Sequence, residues 1–404
     1  MNNNRVQSSD FRLIRNINDR IVLNIILENE AISGADLARQ SGLQPSTISN
    51  ILKGLKARDL VNNLGKGTST FKGGKRPFLW EINSDAAYAI GLDVEIGQVA
   101  ITMLGLNGSV KNKKIYATEN ISNPEELSQH LLVSFQDFIA ESGVGIDKIL
   151  GAGIAVAGIV NRDTGEVMMT DIIPQMNFSL TQELQKKYQF PVIAENNANA
   201  SAIGSKIVGT ARGERNLMTV LVKVDAHVSG IGIGLVLNGE LYHGSNFCSG
   251  EVTPEYPPMY NMLSRLRDHF SKGKILKKYL NKIEDLNIRL LIDAANQGDV
   301  LANHYFNLLG RMIGSSIAKH IAMINPAKVI ITGDVAEVGD LILNPIKELV
   351  EYELVSISKK DLNIVASRSG RYSVAVGAAS IILDEFLKIP ALPNNRIVNL
   401  SQTQ

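Results

Sequence analysis

The stretch from Ala31 to Leu64, AISGADLARQSGLQPSTISNILKGLKARDLVNNL, constrains the fold of this chain more than any other. Ser33 stands before GADLARQ with Asp36 three residues on, a carboxylate variant of the capping box that opens a helix. Gly42 supplies a position that tolerates φ > 0 and stops that helix. Pro45 suits the first turn of a second helix, whose Ile48, Ile51, Leu52 and Leu55 recur at i, i+3, i+4 and i+7. Ser46, Thr47, Ser49, Asn50, Lys53 and Lys56 are then expected to face outward. A short helix with a polar, basic exposed face is what a helix-turn-helix places in a major groove. The competing reading is a helical hairpin with a solvated face.

Residues 65–76, GKGTSTFKGGKR, contain four Gly, four Lys or Arg and no acid. They lie between LVNNL and PFLWEI, two short apolar segments able to pair as a hairpin. A cationic loop there is a wing, suited to phosphates or a minor groove. Recognition helix plus basic wing predicts a winged helix, with double-stranded DNA as partner. Gln44, Ser46, Thr47 and Asn50 are the candidates for base edges, and Ser49 shares their face. Lys53, Lys56, Lys66, Lys72, Lys75 and Arg76 are the candidates for phosphates.

Charge distribution agrees. Residues 1–82 carry 12 Lys and Arg against 7 Asp and Glu, while the rest of the chain has a net charge of −4. A basic front on a mildly acidic body suits a DNA-binding head carried by something else. The 404 residues allow two or three domains. The single cysteine, Cys248, excludes an internal disulfide and any multi-Cys zinc site, and reads as a small buried apolar residue. No run approaches about 18 apolar residues and MNNNRVQSSD is no signal peptide, so a cytoplasmic protein without a membrane partner is expected.

Along the chain, Phe11 to Glu28 predicts a first helix with Ile14, Ile17, Ile21 and Ile25 as its apolar stripe. A connector spans Asn83 to Tyr88. The pattern then turns to strands mixed with helices: a hairpin from AYAIGLDVEIG and QVAITMLGL, a third strand VKNKKIYAT, and a helix from Pro124 to Glu141. The Gly-rich strand KILGAGIAVAGIV and the strand-to-helix segment PVIAENNANASAIGSKIVG follow, then strands LMTVLVKV and GIGIGLVLNGEL. Met259–Asn281, Ile283–Gln297 and Val300–Ile324 read as helices, AKVIITGDV as a late strand, and SRSGRYSVAVGAASIIL as a turn into a closing helix. The many β-β turns predict an α/β body rather than simple βαβ repetition.

These pieces resemble the ROK family of repressors, open reading frames and kinases. The matching segments are QPSTISNILKGLKARDLV, the GKRP ending the wing, GLDVEIG, GIAVAGIV, ENNANASAIG, SGIGIGLVLNGELYHGSNFCSGE and VIITGDV, and the resemblance spans residues 11–388. It implies an α/β chain in which an N-terminal winged helix-turn-helix (1–82) precedes a two-lobed, actin/hexokinase-like (ribonuclease H-like) sugar-kinase fold (83–388), with a tail over 389–404. It further implies a sugar in the cleft between the lobes and a homodimer or homotetramer.

A sugar kinase needs a carboxylate to take the proton of the attacking hydroxyl. In kinases of this family that group is the Asp of an Asn-Asp-Ala-Asn-Ala motif; here the motif runs Asn196-Asn197-Ala198-Asn199-Ala200, and an amide is no base near neutral pH. The first phosphate loop carries Glu95 in Asp93-Val94-Glu95-Ile96-Gly97 where the family has glycine. Asp93 itself reads equally as a structural residue or a metal anchor. The second phosphate loop, Val228-Ser229-Gly230-Ile231-Gly232, survives in part. The family's structural zinc is lost: Pro254 replaces its histidine, the segment EYPPMYNMLSRLRDHF holds no cysteine, and His243 and His269 read as surface or packing residues. No catalytic residue, cofactor or metal is therefore expected. By resemblance, Asn196, Asn197 and Glu251 bind the sugar over the backbone of Ala157 and Gly158, with Glu255 as a substitute contact. The alternatives are turn chemistry after a strand for Asn196 and an exposed loop carboxylate for Glu251. The expected function is a sugar-responsive repressor of carbohydrate-utilisation genes. A sugar kinase with a DNA-binding head and a protein-binding scaffold are the alternatives.

Overall fold

The computed structural model describes residues 8–66, 77–118, 121–224, 229–252 and 257–389. They form two compact units, one of residues up to Ala86 together with those from Asp384 onward, the other Ala87–Leu383.

The first unit contains helices α1 (Ser8–Asn29), α2 (Gly34–Ser41) and α3 (Pro45–Ala57), with strands β1 (Ile32–Ser33), β2 (Val61–Lys66) and β3 (Phe78–Ile82). The strands form an antiparallel sheet in the order β1-β3-β2. The Ser33 hydroxyl accepts the Asp36 N–H at 3.1 Å and donates to the Asp36 carboxylate at 2.7 Å, which satisfies an orphan N–H at the start of α2. Gly42 at φ 71° ends α2, and Pro45 opens α3. Leu37, Ile48, Ile51, Leu52 and Leu55 are buried as their spacing requires.

The stripe expected on α1 is displaced. Val22, Leu23, Ile26 and Leu27 are buried, Ile17, Ile21 and Ile25 lie at the flanks, and the Ile14 side chain falls outside the described residues. The isoleucines at i, i+4, i+8 drift round the helix, so the face toward α2 and α3 is set instead by the i, i+1, i+4, i+5 set. Asp19 shares the buried face because Arg58, just after α3, meets its carboxylate at 2.6 Å. Asn24 donates to the Leu387 carbonyl at 3.0 Å and Arg20 to that of Lys388, tying the end of the closing helix to α1.

In the second unit, β4 (Tyr88–Glu95), β5 (Gln98–Gly105) and β6 (Val110–Ala117) form an antiparallel meander. After α4 (Pro124–Ser142), β7 (Ile149–Val156) joins β4 in parallel; β8 (Gly158–Asn161), β9 (Glu166–Thr170) and β10 (Phe178–Ser179) make a small separate sheet. Helix α5 (Gln182–Lys187) leads to β11 (Val192–Asn196), the edge of a five-stranded sheet ordered β11-β7-β4-β5-β6. Helix α6 (Asn197–Ile207) then crosses to a second sheet of β12 (Leu217–Val224), β13 (Ser229–Leu237), β14 (Glu240–Leu241) and β15 (Glu251–Val252). Helices α7 (Met259–Arg265), α8 (Ile288–Asn296) and α9 (Val300–Ile324) precede β16 (Lys328–Thr332), α10 (Asp340–Glu353), α11 (Ser356–Lys359), β17 (Asn363–Ala366) and α12 (Ser373–Leu387). The second sheet runs β14-β13-β12-β16-β17, with β15 on β13.

Each sheet has its own apolar core. Phe135 and Phe138 of α4 lie beneath the first; Tyr305, Phe306 and Ile313 of α9 lie beneath the second. A small alanine-rich cluster, including Ala155, Ala198, Ala200 and Ala378, lies where α6 and α12 cross. The approach there is too close for side chains: a Cβ on Gly377 would stand 2.1 Å from the Ala200 carbonyl oxygen.

The span Met259–Asn281 is not one helix. It breaks after Arg265 into 3₁₀ turns at Arg267–Lys272 and Leu276–Tyr279. The Asp299 carboxylate, fully buried, accepts the N–H groups of Ile275, Leu276, Leu301 and Ala302, pinning this segment to the start of α9. Burial opposes its charge, but the four backbone donors prevail and hold its carboxyl below the usual range. Ile283–Gln297 is likewise shortened, because Asn287 caps α8 by accepting the Leu290 N–H. Helix α10 was not foreseen; its internal Pro345 packs against Gly310 of α9, where glycine leaves room for the ring.

Candidate functional site

The candidate site lies where β11 runs into α6. Asn196 ends the strand with extended φ/ψ and caps the helix, its Oδ1 accepting the N–H groups of Ala198 at 2.8 Å and Asn199 at 3.1 Å. Its Nδ2 donates to the Gly158 carbonyl at 2.8 Å and to Glu251 Oε1 at 3.1 Å. All four hydrogen-bonding positions of the amide are thus engaged. Gly158, Asn196 and Glu251 come together from three segments remote in sequence.

Backbone geometry requires glycine at two of these places. Gly158 has φ 139°, and a Cβ there would lie 2.1 Å from the Met169 carbonyl oxygen. Gly250 has φ 84°, and its Cβ would lie 1.7 Å from the Ile233 carbonyl oxygen. The turn at Gly250 delivers Glu251 onto β13 opposite Gly232, so the carboxylate reaches across from the second sheet to Asn196 on the first. Desolvation raises the Glu251 pKa, Asp171 adds to the rise, and the bond from Asn196 works against it.

Asn197 opens α6, half-buried, with its own Oδ1 on the Ala198 N–H at 2.8 Å. The Ala157 carbonyl beside Gly158 accepts the Thr170 hydroxyl at 2.6 Å. Glu255 and Pro254 lie outside the described residues.

Beside the site, Glu195 and Arg162 carry no sequence expectation, while His243 takes the packing alternative of its reading. Glu195, 1% exposed, accepts the Asn196 N–H at 2.8 Å and the Asn199 amide at 3.1 Å through Oε1. Its Oε2 meets His243 Nε2 at 2.9 Å and Arg162 Nε at 3.6 Å. His243 is therefore no independent surface residue; it joins the loop after β14 to the buried carboxylate directly behind Asn196. Glu195 was legible only as the residue preceding the Asn-Asn pair, and nothing local connects it to a histidine 48 positions away. Cys248 also departs from expectation. It is exposed, its Sγ 3.1 Å from the Asn246 carbonyl, because it sits on a tight turn where Phe247 takes φ 59°. One exposed thiol cannot supply a thiolate-rich zinc site. Among the described residues no three or more His, Cys, Asp or Glu side chains are grouped to hold a metal ion.

The region expected to meet nucleotide phosphates is acidic. Asp93 is buried at 3% exposure, and its Oδ1 has no hydrogen-bond partner among the described residues. Burial first, then Glu95 and Asp334, push its carboxyl well above the usual range against the pull of Lys223. Burial also raises Asp334.

On the first unit, α3 exposes Ser46, Ser49, Asn50, Lys53 and Lys56, with Gln44 exposed at its N-cap. Thr47 is half-buried rather than fully outward, since it lies one residue before Ile48 and leans toward the core side. Strands β2 and β3 pair with Val61 opposite Ile82 and Lys66 opposite Phe78. Lys72, Lys75 and Arg76 lie outside the described residues, as does the Lys66 side chain.

Residues 90–254 and 267–385 match the profile of the ROK family. The chain belongs to the ROK family. Residues 15–62 match a winged helix-turn-helix DNA-binding domain. Among ROK relatives, the xylose repressor of Bacillus subtilis (strain 168) is 28% identical over 386 residues, covering 94% of this chain and 98% of its own length. The DNA-binding transcriptional dual regulator NagC of Escherichia coli (strain K12) is 24% identical over 398 residues, covering 94% and 95%. A solved ROK transcriptional regulator, a homologue of the E. coli MLC protein, superposes with a TM-score of 0.70 at 22% identity over 93% of this chain and 97% of its own. A ROK glucokinase from Streptomyces griseus, in complex with glucose and AMPPNP, superposes with a TM-score of 0.61 at 20% identity, covering 73% of this chain and 99% of its own. The winged helix-turn-helix joined to a sugar-kinase-like ROK fold is thus the architecture of this chain. None of its described helices is long and apolar enough to cross a membrane.

Proposed function

We propose that this protein is a cytoplasmic, sugar-responsive transcriptional repressor of carbohydrate-utilisation genes, with a body that binds a sugar without phosphorylating it. The observation that carries the proposal is the pairing, in one ROK chain, of a polar and basic α3 with a pocket that has Asn197 at the position of the kinase base. Asn196, Asn197 and Glu251, over the backbone of Ala157 and Gly158, are the proposed sugar contacts, a sugar hydroxyl replacing Glu251 as the partner of the Asn196 Nδ2; Glu255 is a further candidate. The amides orient hydroxyls but accept no proton, and Glu95 stands where the family's phosphate loop has glycine. The names of the relatives, a xylose repressor and an N-acetylglucosamine repressor, support a pentose or an amino sugar as the class to test first.

In this reading residues 1–82 are the DNA-binding head and 83–388 the effector-binding and oligomerising body. A homodimer or homotetramer presents heads to half-sites one helical turn or a multiple apart. Gln44, Ser46, Thr47 and Asn50 meet base edges with Ser49 on the same DNA-facing side, while Lys53, Lys56, Lys66, Lys72, Lys75 and Arg76 meet phosphates. Sugar shifts operator affinity by binding the two states of the body unequally.

The test is recovery of genomic DNA fragments by the purified protein under excess competitor DNA, with and without xylose or N-acetylglucosamine. A few fragments sharing an inverted repeat, released or retained according to the sugar, support the proposal. Absence of specific fragments refutes the head's role; ATP-dependent phosphorylation of a sugar by the same preparation refutes the body's.

A further inference from the structure

The loop from His243 to Glu251 leaves the second sheet after β14 and rejoins it at β15, and both of its ends reach β11 of the first sheet. At one end His243 Nε2 lies 2.9 Å from Glu195 Oε2; at the other, Glu251 Oε1 accepts the Asn196 Nδ2 at 3.1 Å. Glu195 and Asn196 are consecutive, so a single loop grips successive residues of the strand, one through each end.

Within itself the loop is braced. The Ser249 N–H donates to the His243 carbonyl at 3.1 Å, and the Phe247 ring meets the His243 ring edge-on with centroids 6.3 Å apart. The Gly250 carbonyl accepts the Ile233 N–H of β13 at 3.0 Å, and the Glu251 N–H reaches the Cys248 carbonyl at 3.3 Å. A chain closed on itself in this way moves as one piece, so a displacement at His243 is carried to Glu251.

The two ends differ in kind. The Glu195 carboxylate is 1% exposed, and a charge withdrawn from water needs donors on both oxygens. Oε1 takes the Asn196 N–H and the Asn199 amide, while Oε2 takes His243, with the Arg162 Nε adding its charge at 3.6 Å. A carboxylate only accepts, so His243 Nε2 carries the proton of this bond. At the other end, a sugar hydroxyl that takes the Asn196 Nδ2 removes the partner of Glu251. Ligand therefore releases one end of the loop and leaves the other fastened.

We infer that His243 is a positioning residue for the candidate site. By fastening the loop to Glu195 it holds Glu251 against Asn196, and it keeps Glu251 facing the site once a ligand hydroxyl has taken the Asn196 amide. The identity of the ligand rests on the sugar reading above; the role of the loop rests on its own geometry.

The test compares three variants of the full chain by hydrogen exchange without ligand and by calorimetric titration with xylose and N-acetylglucosamine. His243→Leu removes the donor, His243→Gln restores it at nearly the same reach, and His243→Asn stays polar but falls short of Glu195. In His243→Leu and His243→Asn the Glu251 and Ile233 amides should exchange several-fold faster while those of α9 do not change, and His243→Gln should return the wild-type rates. Sugar affinity should fall about tenfold in the same two variants, as for loss of one hydrogen bond to a charged group, and recover in His243→Gln. Faster exchange confined to residues 243–249 overturns the inference, as does His243→Gln behaving like His243→Leu. A rise shared by α9 in both donor-less variants also overturns it, since the bond would then support the whole fold rather than this loop. So does sugar binding that is equally tight in the wild type and in His243→Leu. A wild type that binds neither sugar bears on the sugar reading and not on the loop, whose role the exchange rates decide.

Discussion

Asn196 combines a helix cap with a cross-sheet tie, and two substitutions separate the roles. Asn196→Ala removes the acceptor for Ala198 and Asn199, a loss of about 1 kcal/mol for a cap. It also strands the Gly158 carbonyl and frees Glu251, at about 1 kcal/mol each. The sum, about 3 kcal/mol, lowers Tm by roughly 6–12 °C at the 2–4 °C per kcal/mol expected of a large domain. Asn196→Ser keeps a capping oxygen and loses only the amide donors, so it should be less destabilised by about 1 kcal/mol, or roughly 2–4 °C. Both variants lack the amide proposed to hold a sugar hydroxyl and should bind sugar at least tenfold more weakly. Thermal unfolding and calorimetric sugar binding on the same preparations provide the measurements. Equal Tm values for the Ala and Ser variants would refute the capping argument. A Ser variant with the wild-type Tm would show that the tie to Gly158 and Glu251 carries no energy.

Asp93 has a folded-state pKa raised by burial, so its contribution is fully present below the unfolded value of about 3.9 and is lost as pH rises through the raised one. Asp93→Asn should therefore be more stable than the wild type at pH 7, with the gap closing toward pH 4; denaturant unfolding at both pH values checks the sign. Gly377→Ala places a methyl 2.1 Å from the Ala200 carbonyl oxygen and should lose about 1–3 kcal/mol through forced separation of α6 and α12, read by the same unfolding assay. In the head, Lys53→Ala or Lys75→Ala should weaken binding to all DNA and reduce the salt slope by roughly one unit, whereas Asn50→Ala should relax sequence preference with the slope unchanged. Filter binding at several salt concentrations distinguishes the two patterns.

What the sequence determined by itself is what depends on neighbours a few residues apart. The Ser33 cap, the Gly42 stop, the Ile48–Leu55 stripe, the pairing of LVNNL with PFLWEI, and the Val300–Ile324 helix all rest on such local rules, and each forms as its residues predict. The Asn196–Asn197 pair was visible as a motif for the same reason. The tertiary structure alone decided which face of α1 is buried, since that depends on where α2, α3 and Arg58 lie and not on where its isoleucines recur. It decided that Met259–Asn281 breaks, because Asp299 draws backbone N–H groups from a segment 23 and 24 residues away. It decided too that Glu195 meets His243 and that Glu251 meets Asn196, across separations of 48 and 55 residues. Those contacts exist because β11 borders one sheet, β15 borders the other, and α6 spans them. A chain carries no local mark of which distant residue its topology will bring to a buried carboxylate.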